Sequence, residues 1–391
     1  MKYDFDEIID RRGTQSSKWD NVGARVGNAK ALPMWVADMD FACPKPIVNA
    51  VVERAQHPIY GYTFIDDEFK KSAVSWISRR HRWKIQEDWI VYLPNVVSLF
   101  PLMIQEYTDP GDGVIIQCPV YHPFIRSVKN NERKVVSNSL VYMDGRYEMN
   151  FSDLEEKAGD PNTKLMILCN PHNPVGRVWS REELLRAGDI CRRNNVVMIS
   201  DEIHSDLVYP GQKHIPLASL SEEMASDTVT AYAPSKTFNL PGLRCAFAVV
   251  PNAEIRSRLE SRITKNNISM PNTFSTIAMV TAYSQCEEYV GELVGYLANN
   301  VAYLDGFLKS KMPKIKLIKP EATYLMWLDC RELGMTADRL ADFFINTCLV
   351  AINRGDMFGS EGAGFVRLNI GCPRETLKKG LNQIWNEYVK L

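Results

Sequence analysis

Three polar side chains stand at the ends of apolar, strand-like runs, and their types suit the capture of a carbonyl compound. Lys236 follows the run 228–232 and precedes a Pro241-Gly242 turn, so its amine is presented where the chain reverses, facing a cleft. Such an amine can condense with an aldehyde to form a Schiff base. Asp201 ends the run 196–200, and the loop Asn170-Pro171-His172-Asn173-Pro174 follows the run 165–168. Ligands of open α/β sheets bind at the carboxyl ends of the strands, so amine, carboxylate and amide are expected around one site. Arg367 interrupts the apolar stretch 364–370. A guanidinium buried there needs an anion, either a ligand carboxylate taken in two parallel hydrogen bonds or an internal salt-bridge partner.

The elements that must position these groups are read from the alternation of apolar runs. Strand-like segments at 89–93, 113–117, 134–137, 165–168, 196–200, 228–232 and 245–250 are separated by amphipathic stretches such as 181–193. That order predicts an α/β fold, with a mostly parallel seven-stranded sheet carrying helices on both faces. Helices are expected at 46–56, with Pro46 in the first turn, and at 69–82. The segment 285–311 reads as one long helix, because Val290, Leu293, Leu297, Val301, Leu304 and Leu308 recur at helical spacing. Strands at 315–318, 324–328 and 364–370, with helices at 337–347 and 375–388, make a smaller α+β unit. The expected division is a large domain at 46–285, and an arm at 1–45 that joins a small domain at 286–391.

The 391 residues carry a net charge of −1, which removes the electrostatic footing for nonspecific binding to nucleic acid or an anionic membrane. Nine cysteines without close-spaced pairs speak against a metal site and for a reducing compartment. The polar start of the chain has no signal-peptide core, and no long uncharged apolar run follows. A cytoplasmic, soluble protein is expected.

Four stretches, taken in order, resemble the pyridoxal-phosphate enzymes of the aspartate aminotransferase fold, known as fold type I. They are Met34-Trp35-Val36-Ala37-Asp38-Met39-Asp40-Phe41, the Asn170–Gly176 loop, Ser200-Asp201-Glu202-Ile203-His204-Ser205-Asp206, and the stretch from Ala233 to Arg244. The resemblance covers nearly the whole chain. The first and last stretches are most similar to the cystathionine β-lyase and cysteine–sulfur lyase subgroup.

The resemblance implies pyridoxal 5'-phosphate as cofactor, with Lys236 as the amine that holds it. Asp201 would face the ring nitrogen and keep it protonated, and Asn173 would reach the ring's phenolate oxygen. His204 stands where many relatives carry a tyrosine contacting that oxygen. The phosphate would sit at a helix start formed by Asn95, Val96 and Val97, where free amides attract anions, with Ser235 and Arg244 adding contacts. Many relatives have glycine where this chain has Asn95, and serine where it has Ala233. Tyr121 would stack on the ring, making it, with Lys236 and Asp201, part of the catalytic set. Arg367 matches the arginine that takes the substrate carboxylate, with the Ala37 backbone near it, and His122 would touch substrate. Tyr62 resembles a tyrosine that reaches the neighbouring subunit's phosphate, implying a homodimer with shared active sites. The implied reaction is β-elimination from an S-substituted L-cysteine such as L-cystathionine, giving a thiol, pyruvate and ammonia. An aminotransferase would use the same residues, and a cofactor-binding regulator is the further alternative.

Overall fold

The computed structural model describes residues 2–391. Its central sheet is built from β1 (Ile90–Leu93), β2 (Gly113–Ile116), β3 (Lys134–Ser137), β4 (Thr163–Cys169), β5 (Val197–Asp201), β6 (Thr228–Tyr232) and β7 (Ala246–Val249). The strand order is β1-β7-β6-β5-β4-β2-β3. Inner strands such as β4 are apolar along their length because helices cover both faces; Leu165 to Leu168 are wholly buried.

Six of the strands share one direction, and β7 alone runs antiparallel to both of its neighbours. The cause is local. Parallel neighbours need a long crossover, usually a helix, whereas antiparallel neighbours can be joined by a short return. Between β6 and β7 the chain makes such a return, and Lys236 lies on it.

Register then brings three strand ends together. Cys169 of β4 pairs with Asp201 of β5, and Asp201 with Ala231 of β6. The loops that leave these residues begin side by side, one carrying Asn173, the next His204 and the third Lys236. Tyr121 follows β2, and its amide donates to the Asn173 carbonyl at 3.0 Å, which ties the loop after β2 to the loop after β4.

The second sheet is antiparallel, with β8 (Lys316–Leu317), β9 (Leu325–Asp329), β10 (Asn353–Arg354) and β11 (Phe365–Asn369) in the order β8-β9-β11-β10. Arg367 lies on β11, opposite Trp327 on one side and Asn353 on the other. One apolar cluster runs from Tyr232 and Phe247 of the first sheet to Leu325 and Leu368 of the second.

The helices match the sequence reading at 45–56, 67–81 and 374–388 to within two residues. Two segments differ from it. The long helix, Glu287–Lys311, also falls within two residues, but a separate helix that the sequence reading lacks, Thr273–Gln285, ends just before Cys286. That helix starts at Asn272, whose side chain accepts the Phe274 amide, a cap that satisfies an otherwise free donor. The segment expected as one helix at 337–347 is an α-helix, Ala337–Asp342, closed by a wider π turn, Phe343–Thr347.

Candidate active site

Lys236 is partly buried, and its Nζ donates to the Ala37 carbonyl at 2.7 Å. Burial draws its amine down from 10.5 to about 8; Asp38 and Asp201 oppose the shift, and Arg367 adds to it. Asp201 is the last residue of β5 and is 3% exposed, and its Oδ1 accepts the Ile203 amide at 3.2 Å. Burial raises the Asp201 carboxyl to about 7, against the Ile203 hydrogen bond and the Lys236 charge. A carboxyl in that position gains from any further cation placed against it. His204 lies behind them with its ring 6.2 Å from that of Tyr324, edge to face, and its Nδ1 has no partner. Burial, helped by Lys236 and Arg367, pushes its imidazole down to about 3, so the ring is neutral at physiological pH.

Arg367 is 3% exposed. Its Nη1 donates to Asn173 Oδ1 at 3.0 Å, and its Nη2 to Asn353 Oδ1 at 2.7 Å and the Trp35 carbonyl at 3.1 Å. The guanidinium also lies 4.8 Å from the centre of the Phe358 ring, and Nε has no partner. Every hydrogen-bond acceptor is neutral. No ion pair among the described residues includes Arg367, which removes the internal salt bridge as an account of it. Burial brings even this guanidinium down to about 10. Its hold on Asn173 Oδ1 fixes which way the amide points, and leaves both Nδ2 donors of Asn173 free for a ligand.

These groups surround two adjoining cavities. The inner one, of about 130 Å³, is lined by Asn173, Asp201, His204 and Lys236 on one side and by Asn95, Val96 and Val97 on another. Ser235 and Arg244 complete its rim, and Ala233 leaves no hydroxyl there. The helix start is built from a 3-10 turn, Val96–Ser98, leading into the helix Leu99–Tyr107. Asn95 Oδ1 accepts the Ser98 amide at 3.0 Å, leaving the Val96 and Val97 amides as those able to face an anion.

The outer cavity, of about 740 Å³, holds Trp35, His122, Asn353 and Arg367, and it shares Ala37, Tyr121 and Lys236 with the inner one. The Tyr121 ring is edge-on to His122 at 5.5 Å and to Phe124 at 5.9 Å, and burial raises its phenol. His122 Nδ1 is buried without a partner, and burial lowers its imidazole to about 4.

The structure thus gathers every expected residue except one. Tyr62 is 95% exposed and lines neither cavity of its own chain. Sequence reasoning passed over Asn353, Tyr324, whose hydroxyl donates to Ala37 O at 2.9 Å, and Asn239. Asn353 carried a signal, an amide closing the apolar run 350–352. Tyr324 carried none.

A lysine on the return between sheet strands, an aspartate at the next strand end and a helix start open to an anion define the architecture of one large enzyme family. The chain belongs to it: residues 34–384 match the family model for aminotransferase class I and II. It is 43% identical over 380 residues to the cystathionine beta-lyase PatB of Bacillus subtilis, covering 97% of this chain and 98% of that protein. The crystal structure of cystalysin from Treponema denticola, which contains pyridoxal 5'-phosphate, superposes with a TM-score of 0.95 at 36% identity, over 100% of this chain and 99% of that one. A pyridoxal-phosphate-bound C–S lyase from Staphylococcus hominis gives 0.91 at 35% identity, over 99% and 98%.

The environment of Lys236 is measurable without any ligand. An acylating reagent attacks only the neutral amine, so labelling of Lys236 in ligand-free protein should rise with pH and be half-maximal near pH 8. A midpoint at the ordinary 10.5 would mean that the amine is solvated.

Proposed function

We propose that this protein is a pyridoxal-phosphate-dependent carbon–sulfur β-lyase, cleaving L-cystathionine or related S-substituted L-cysteines to a thiol, pyruvate and ammonia. The carrying observation is the buried Arg367 guanidinium, without an anion, sharing a cavity with the Lys236 amine. An amino acid brings the carboxylate that the first lacks and the amine that the second exchanges with. The relatives named above as cystathionine beta-lyase and C–S lyase support the reaction.

The residues fit the cofactor. When bound, pyridoxal phosphate supplies an aldehyde for amines and a ring that accepts the electron pair left at a deprotonated α-carbon. Lys236 would be the amine that holds the aldehyde and, as a free amine near 8, the base suited to taking the α-proton. Asp201 would face the ring nitrogen, where a proton would supply the cation that its buried carboxyl calls for. The Val96 and Val97 amides, Ser235 and Arg244, which line the inner cavity, would hold the phosphate, and Tyr121, on the same lining, would pack against the ring. Asn173 Nδ2 and the neutral His204 would serve the ring oxygen. Arg367 takes the substrate carboxylate beside Trp35 and Ala37, which directs the β-carbon and its sulfur into the outer cavity, toward His122. The carbon–sulfur bond breaks with its electron pair on sulfur, the thiolate gains a proton, and water completes the release of pyruvate and ammonia.

The reading keeps residues 46–285 as the cofactor-binding domain and 1–45 with 286–391 as the arm and small domain. It also makes the protein a homodimer. The exposed Tyr62 supports this, as do the exposed apolar side chains Val48, Val52, Ile59 and Phe64 on the same stretch of chain. Free cysteines, all but Cys43 buried, support a reducing cytoplasm, and no described helix is long and apolar enough to cross a membrane.

The family model's own description favours a second reading, an aminotransferase, which uses the same residues and differs in where the α-carbon electrons go. With L-cystathionine and no oxo acid, the lyase should release pyruvate and thiol in equal amounts over many turnovers. A single conversion that stops until an oxo acid is added would establish the aminotransferase. Shared active sites have their own test. Mixing Lys236→Ala with Tyr62→Phe chains should create hybrid dimers with one site free of both changes, restoring about a quarter of wild-type activity. Mixtures no more active than their parents would put Tyr62 outside the site.

A further inference from the structure

Residues 35–41 form no helix or strand, yet they cross the outer cavity beside both catalytic cations. A segment of this kind has no ladder of its own to satisfy its backbone polar groups, and here side chains meet most of its carbonyls. The Trp35 carbonyl accepts Arg367 at 3.1 Å, and the Ala37 carbonyl accepts Lys236 at 2.7 Å and Tyr324 at 2.9 Å. At the far end Arg11 and Lys18 of the arm reach the Met39 and Asp38 carbonyls and Asn369 of β11 the Asp38 carbonyl, and one side chain of the lysine loop makes three contacts. Asn239 Oδ1 accepts the Met39 amide at 3.0 Å, while its Nδ2 donates to the carbonyls of Met39 at 2.8 Å and Phe41 at 3.0 Å.

Asn239 lies on the same return as Lys236, three residues further on. Its backbone is left-handed, φ 59°, a conformation that asparagine tolerates better than most residues. Only a carboxamide offers an acceptor and two donors on one planar group, so the three contacts need this chemistry. Lys236 and Asn239 therefore fasten one loop to one segment at two points, Ala37 and Met39. The Trp35 carbonyl that steadies Arg367 belongs to that same segment.

We propose that Asn239 is a positioning residue for the reaction, clasping the 35–41 segment to the lysine loop so that the Ala37 and Trp35 carbonyls hold Lys236 and Arg367 in place for an amino acid. The proposal rests on the reading of the site given above. Without the clasp the segment keeps its ties to Asn369 and the arm but is joined to the lysine loop only through Lys236, and the carboxylate pocket loosens while the cofactor-facing strand ends stay as they are.

Two variants separate this from a need for asparagine in the loop itself. Asn239→Gly accepts the left-handed backbone and removes all three contacts. Asn239→Asp keeps the shape and the Met39 amide contact, but sets a carboxylate oxygen against two carbonyls. Each is loaded with cofactor, and glycine, which has no leaving group, is titrated while cofactor absorbance is followed. Hydrogen exchange of the Met39 amide is measured on the same samples.

The expected result is wild-type cofactor content in both variants, with the glycine dissociation constant raised about tenfold or more, as the loss of hydrogen bonds of ordinary strength implies. Met39 exchange should also be about tenfold faster in Asn239→Gly. Faster exchange with unchanged glycine binding would overturn the proposal by making the clasp merely structural. Unchanged exchange would overturn it by showing that the clasp does not hold the segment in solution. Failure of both variants to retain cofactor would assign Asn239 to folding instead. A wild-type protein that loads cofactor but binds no glycine would reject the reading of the site, while the exchange measurement would still test the clasp. The glycine titration gives the same answer for a lyase and an aminotransferase.

Discussion

A guanidinium sealed from water with only neutral oxygens around it is an expensive arrangement, and in this protein it sets the character of the site. Arg367 projects from β11 into a collar made by Asn353 across the sheet, Asn173 from the loop after β4 and the Trp35 carbonyl. These partners fix its direction and leave its charge unpaired. Burial draws the Lys236 amine and the His204 and His122 imidazoles toward their neutral forms, and that charge adds to the pull. Asp201 and Asp38 pull the lysine the other way. The balance leaves one amine near neutrality, two uncharged imidazoles and one cation waiting for a carboxylate.

The backbone that creates this meeting is simple. Aligned register across β4, β5 and β6 puts three loops at one edge of the sheet, and the antiparallel β7 forces the lysine loop to turn back over that edge. The second sheet supplies the arginine. Between the two runs the 35–41 segment, whose carbonyls accept side chains from the N-terminal arm, the lysine loop and β11. Arg11 also grips the Asp38 carboxylate with both Nη atoms, at 3.0 and 2.8 Å, and Lys18, almost wholly buried, reaches Asp40 at 2.8 Å. The arm is thus fastened beside the site by paired charges, a geometry whose loss costs more than its formation supplies.

Much of this was legible in the sequence, for a physical reason that also sets the limit. Lys236, Asp201, Asn173 and Arg367 stand out because each is a polar group at the end of, or inside, a run that would otherwise be buried. The strands of the central sheet were legible on the same ground, whereas the helix Thr273–Gln285 was not, since its small and apolar residues surround it without forming a stripe. Contacts between distant segments leave no local trace. Nothing near Tyr324 or Asn239 announces that their side chains end on residues 37–41, and the two-residue strand at 353–354 is too short for any periodicity. Asn95 is explained by geometry alone, because its side chain occupies the Ser98 amide and leaves the two preceding amides to the cavity.

The most direct test of the account asks whether Arg367 reads the α-carboxylate and nothing else. Binding of S-methyl-L-cysteine is compared with that of S-methylcysteamine, the same molecule without the carboxylate, in wild-type and Arg367→Ala enzyme of equal cofactor content. The account predicts that the substitution weakens the amino acid by on the order of 2–5 kcal/mol and leaves the amine nearly unchanged. Equal losses for both compounds, or none for either, would contradict it.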